Sequence, residues 1–108
     1  MLRLGVLAST RATDMQAVID AIISKKLNAV ISVVVSSKKD AYALERARKN
    51  KIKAVFIDTK GKDRVKYDKE VSKVLDENKV QLILLIGYMK IVSPWFVNKY
   101  KNKIMNVH

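Results

Sequence analysis

Asn106 and His108 lie two residues apart in Ile104-Met105-Asn106-Val107-His108 and bring together an amide donor and the chain's single imidazole. Alternate side chains of a strand share a face, so both would project to the same side. An amide N–H and an imidazole on one rim could stabilise an oxyanion or move a proton. An ordinary surface histidine carries the same pattern, and spacing alone does not separate the two. A second candidate group is Ser9-Thr10-Arg11-Ala12-Thr13-Asp14, where backbone N–H groups at a helix start, hydroxyls and an arginine can hold a phosphate. It has no glycine for close approach, and Asp14 suits the helix dipole while repelling phosphate, so a plain capped helix start explains it equally well. The third group is Gly87-Tyr88-Met89-Lys90-Ile91-Val92, which either lines a pocket or packs under Trp95 and Phe96.

The elements that must position these groups follow from periodicity. Leu2 to Ala8 and Val30 to Val35 are apolar runs with the pattern of buried strands, Ala54 to Ile57 reads as a third short strand, Val80 to Ile86 as the fourth and most apolar, and Lys103 to Val107 as a fifth. Met15, Val18, Ile19, Ile22 and Ile23 fall on one helical face, with Thr13 and Gln16 at capping-box spacing, so a helix is expected from Thr13 to about Lys26. Asp40 is placed to cap a helix from Ala41 to about Asn50, and Asp63 one that carries the stripe Tyr67, Val71, Val74 and Leu75. Ser93-Pro94 reads as a further start, with Ser93 capping and Pro94 in the first position. Strands and helices alternate with short connections, which predicts a Rossmann-like open parallel sheet with helices on both faces. Ligands then bind beyond the carboxyl ends of the strands, where the strand order reverses. That rim would gather Ser9 to Asp14, Ser36 to Asp40, Asp58 to Arg64, Gly87 to Val92, Asn106 and His108.

Composition narrows the classes. A chain of 108 residues allows one domain. Its apolar runs reach about seven residues, where a membrane-spanning helix needs about 20. Zero cysteines and one histidine exclude disulfides, thiolate metal sites and histidine-cluster metal sites. With no secretory leader pattern at Met1-Leu2-Arg3-Leu4, a cytoplasmic protein without a metal is expected. The balance of 22 basic and 10 acidic residues, +12 net, favours anionic partners. The lysines are spread along the chain with little aromatic interleaving, which reads as a solvated surface in preference to a nucleic-acid interface.

Several stretches resemble one known family, the phosphoribosylglycinamide (GAR) formyltransferases of purine synthesis. They are Asp14-Met15-Gln16-Ala17-Val18-Ile19, Ser37-Lys38-Lys39-Asp40-Ala41-Tyr42-Ala43-Leu44-Glu45-Arg46-Ala47, Arg64 to Glu70 around Tyr67-Asp68, Gly87 to Pro94, and Asn106-Val107-His108. The resemblance covers this whole chain and the family's N-terminal half, so the sheet is expected to stop after about its fifth strand. It implies formyl transfer from 10-formyltetrahydrofolate, as co-substrate, to the amine of GAR. By matching positions, Arg11, Ala12, Thr13 and Asp14 would lie at the phosphoribosyl end of GAR. Arg64, Met89, Lys90, Ile91 and Val92 would lie beside the folate, Asn106 would touch the formyl group, and His108 would be the catalytic imidazole. The chain departs from the family in its glycine-free phosphate loop, where Asp14 replaces an asparagine, and in lacking the segment that follows the histidine. Turnover by the chain alone is therefore not expected, and the sheet edge would invite self-association or a complementing C-terminal half. Two readings stand beside this one: a formyltetrahydrofolate hydrolase of the same fold, and a non-catalytic half-domain that binds phosphate or nucleic acid.

Overall fold

The computed structural model describes residues 1–8, 16, 17, 19–21, 24, 28–86 and 92–107. Its elements are β1 Leu2–Leu7, β2 Ala29–Ser36, α1 Tyr42–Lys49, β3 Ala54–Phe56, α2 Arg64–Glu77, β4 Leu82–Ile86, α3 Pro94–Lys99 and β5 Ile104–Val107. Residues 16, 17 and 19–21 are also helical; the expected start at Thr13 and end at Lys26 lie outside the described residues. The five strands form one parallel sheet, as the alternating pattern predicts, and their order is β3-β2-β1-β4-β5. The chain moves outward from β1 through β2 to β3 and then crosses back to β4. The order therefore reverses between β1 and β4.

Helices cover both faces. On one side Leu4, Val6, Ile31, Val34 and Leu84 pack under Ile19 and under Ala43, Leu44 and Ala47 of α1. On the other, Leu7, Val33, Val35 and Ile83 pack under Tyr67, Val71 and Leu75 of α2 and Phe96 and Tyr100 around α3. A β-bulge explains how β2 serves both layers out of simple alternation. The register jumps from Leu4 opposite Ile31 to Gly5 opposite Val33, so Ile31 and Val34 end on the same face. Gly5 sits at that jump for a steric reason. A Cβ there would lie 2.8 Å from Leu75 Cδ2 and 2.9 Å from Val80 Cγ1, so the end of α2 seats on β1 only because no side chain intervenes.

The helix starts separate into two kinds. Asp63 and Ser93 cap as their sequences predict: Asp63 Oδ1 accepts from the Lys66 N–H at 2.8 Å and Ser93 Oγ from the Phe96 N–H at 3.2 Å. Asp40 does not cap α1. The N-cap is Ala41, which has no side-chain cap, because the Ala41 N–H bonds Lys38 O at 3.1 Å and closes a turn that contains Asp40. Ala41 itself is buried, so the start is anchored by packing. Both α1 and α2 end in Schellman motifs with a lysine in the left-handed position, Lys51 at φ 59° and Lys79 at φ 56°. Val80 N–H reaches Leu75 O and Lys79 N–H reaches Asp76 O, so Val80 and Gln81 belong to the connection and β4 begins at Leu82.

Candidate active site

The strand order reverses between β1 and β4, the kind of place at which open parallel sheets bind their ligands. Of the residues expected there, Arg11, Ala12, Thr13, Asp14, Met89, Lys90, Ile91 and His108 lie outside the described residues. Arg64, Val92 and Asn106 are described, and the fold brings them to one layer. Arg64 is the first residue of α2 and is exposed. Val92 is half-buried and packs in the cluster that also holds Leu85 and Ile104. Asn106 stands opposite Leu85 in the β4–β5 register, one position before the end of β4. Ile104 packs in the α2/α3 layer, and alternation sends Asn106, two residues later, toward that same side. Asn106 is exposed, so its amide is open to a ligand.

One carboxylate ties this layer together. Asp68 lies one helical turn after Arg64 and is buried, and its Oδ2 accepts from the Ser93 N–H at 2.7 Å. Sequence reasoning assigned Asp68 no role. The available signal was a charged residue inside the apolar stripe of α2, whose buried members are Tyr67, Asp68, Val71, Ser72 and Leu75. Ser72, the other polar member, has the same kind of partner, with its hydroxyl 2.7 Å from the Tyr100 hydroxyl. Asp68 and Ser72 thus clip the two ends of α3 to α2, and between them Phe96 is fully buried with its ring 4.8 Å from that of Tyr100.

At the β2 end of the rim, Ser36 Oγ accepts from the Lys38 N–H at 3.2 Å, and the Ser37 hydroxyl is buried with no hydrogen-bond partner. Behind it Arg46 donates to the side-chain Oε1 of Gln16 and to the Tyr42 hydroxyl and lies 4.5 Å over the Tyr42 ring, which locks the first helix against α1. Gln16 also donates to Asp20 at 2.7 Å. Its amide therefore joins two helices; whether it also closes a box with Thr13 lies outside the described residues. Among the described residues no group of three His, Cys, Asp or Glu side chains could hold a metal ion, and no helix is long and apolar enough to cross a membrane.

The family model for formyl transferase matches residues 2–108 of the chain. The chain belongs to the formyl transferase family. Within it, the chain is 38% identical over 109 residues to the phosphoribosylglycinamide formyltransferase of Haemophilus influenzae, an alignment that takes in all of this chain and 51% of the relative. The glycinamide ribonucleotide transformylase 1 of Symbiobacterium toebii superposes with a TM-score of 0.95 at 34% identity, over all of this chain and 51% of that one. A formyltetrahydrofolate deformylase from Burkholderia mallei shares the fold, with a TM-score of 0.89 at 16% identity over 99% of this chain and 37% of that one. This formyl transferase chain spans about half the length of the curated relatives it matches.

Proposed function

We propose that the chain carries the substrate-gathering half of a cytoplasmic phosphoribosylglycinamide formyltransferase. Identity of 38% over the whole chain to the Haemophilus influenzae enzyme carries the reading. The grouping of Arg64, Val92 and Asn106 on one layer supports it. The amine of GAR attacks the formyl carbon of 10-formyltetrahydrofolate, a C–N bond forms, and a tetrahedral oxyanion develops. The bond from that carbon to N10 then breaks, and the proton lost by the amine ends on N10. Asn106 and a protonated His108 donate hydrogen bonds to the oxyanion, where charge appears only in the transition state. Arg64 and Met89 to Val92 hold the folate, and Arg11 to Asp14 receive the phosphoribosyl end of GAR. Holding amine and formyl carbon in contact supplies much of the remaining rate.

The second half of the fold completes the site, whether it follows in the same polypeptide or comes from another. The surface supports this: among the described residues β5 pairs with β4 alone, and Val97 and Met105 are exposed at 45% and 53%. The test has two arms. By calorimetry, the chain alone should bind GAR and 5-formyltetrahydrofolate, a stable isomer of the donor. Supplied with the second half of the Haemophilus influenzae relative, it should transfer formyl in a GAR-dependent manner. Donor hydrolysis without GAR would point to the deformylase reading. Failure to bind either ligand, with salt-sensitive RNA binding instead, would replace the enzyme by a binding module.

A further inference from the structure

We infer that Asp68 is a positioning residue for the folate side of the site, an inference that rests on the function proposed above. Ser93 is 1% exposed and begins α3 with its hydroxyl already committed to the Phe96 N–H. Its own N–H needs an acceptor in a place water does not reach. In a capping box that acceptor is a Glu or Gln three residues on, but here the position is Phe96, which has none to offer. Asp68 fills the place from a different helix, at 2.7 Å and 25 residues away in sequence.

The bond does more than cap. Ser93 N belongs to the Val92–Ser93 peptide, a planar trans unit in a chain with no cis bonds among the described residues. Fixing the N–H on Asp68 sets the plane of that peptide, and with it the direction of the Val92 carbonyl. The same Asp68 lies one turn from Arg64 on α2. Two members of the folate-side set, Arg64 and Val92, are therefore held in one spatial relation by a single carboxylate. A buried carboxylate is a costly acceptor, and its strong, short hydrogen bond makes that relation stiff.

The experiment uses the 108-residue chain. Wild type, Asp68→Ala and Asp68→Asn are titrated by calorimetry with 5-formyltetrahydrofolate and, separately, with GAR. Emission from the single tryptophan, Trp95, two residues beyond Ser93, reports the start of α3. Loss of a hydrogen bond to a charged acceptor should weaken folate binding about tenfold in Asp68→Ala, change GAR binding less than about twofold, and shift Trp95 emission. Asp68→Asn keeps an oxygen that accepts from Ser93 N–H and should recover most of the folate affinity. If Asp68→Ala does not fold, Asp68→Glu moves the carboxylate by one methylene and should show the same selective loss. Folate binding unchanged in a folded variant overturns the inference, as does an equal loss for both ligands that asparagine does not rescue. Wild type that binds neither ligand overturns the proposed function itself.

Discussion

The Tyr100 hydroxyl lies 2.9 Å from Asp76 Oδ1 while the Lys99 ammonium lies 2.6 Å from Oδ2, so one carboxylate joins the far ends of α2 and α3. Asp76 is 12 residues beyond Arg64, about 18 Å along the helix, which makes this a stability device remote from the site. Burial pushes the Asp76 carboxyl up, but hydrogen bonds from Lys99 and Tyr100 and the charge of the ammonium outweigh it and hold it below its ordinary value. The hydrogen bond to Asp76 holds Lys99 above its ordinary value against desolvation. Burial raises Tyr100, and the bond to Asp76 adds to that although Ser72 opposes it.

The signs define a window. A depressed carboxyl stabilises the fold above its unfolded pKa and loses that contribution as pH falls through the folded value. A raised ammonium or phenol stabilises below its unfolded pKa and loses it as pH rises through the folded one. The network should therefore act between about pH 4 and about pH 10. With side chains 53% and 38% exposed, the Asp76–Lys99 pair should contribute less than about 1 kcal/mol. Thermal unfolding of wild type and Asp76→Asn across pH checks this: the difference in Tm should be present at pH 7 and fade as the pH falls below about 4 through the depressed folded value. A difference that persists in acid would refute the assignment.

Gly5→Ala should destabilise by about 1–3 kcal/mol, since the new methyl meets Leu75 and Val80 inside ordinary contact distance. Val80→Ala in the same chain should return part of that loss, because it removes one of the two obstructions. Denaturant titration of the single and double variants measures the coupling, and strict additivity would mean that the strand and the connection relax apart.

Lys79→Gly should stabilise by about 0.5–1 kcal/mol, because a residue with a Cβ pays for the left-handed conformation that glycine adopts freely. Lys51→Gly should behave alike at the end of α1. A fall in Tm for both would show that the lysine side chains contribute more than the backbone strain removes.

Asn106→Ala should leave unfolding within about 0.5 kcal/mol of wild type, since the side chain is exposed on the last strand. In the complemented enzyme it should lower kcat about 100-fold, the cost typical of losing one oxyanion donor. Near-normal turnover would remove Asn106 from the proposed chemistry.

Met105→Lys places a charge on the exposed apolar surface of β5 and should reduce self-association of the chain in sedimentation, while weakening capture of a complementing half. Unchanged association in both assays would move the interface elsewhere.

The sequence alone determined whatever depends on near neighbours. Apolar runs marked the first four strands, and Asp63 and Ser93-Pro94 marked two helix starts, because a cap bond spans only three residues and its donor and acceptor are written side by side. The same local logic failed at Asp40, where a competing turn and the burial of Ala41 decided the start of α1. Family resemblance supplied Asn106 and His108, which pattern alone left as an amide and a surface histidine. Tertiary structure decided the rest: the order β3-β2-β1-β4-β5, the bulge that lets β2 face two layers, the need for glycine at position 5, and the partner of Asp68. Each of these pairs groups that are distant in sequence. Their energies exist only once two elements have packed, so no local stretch of residues carries the signal.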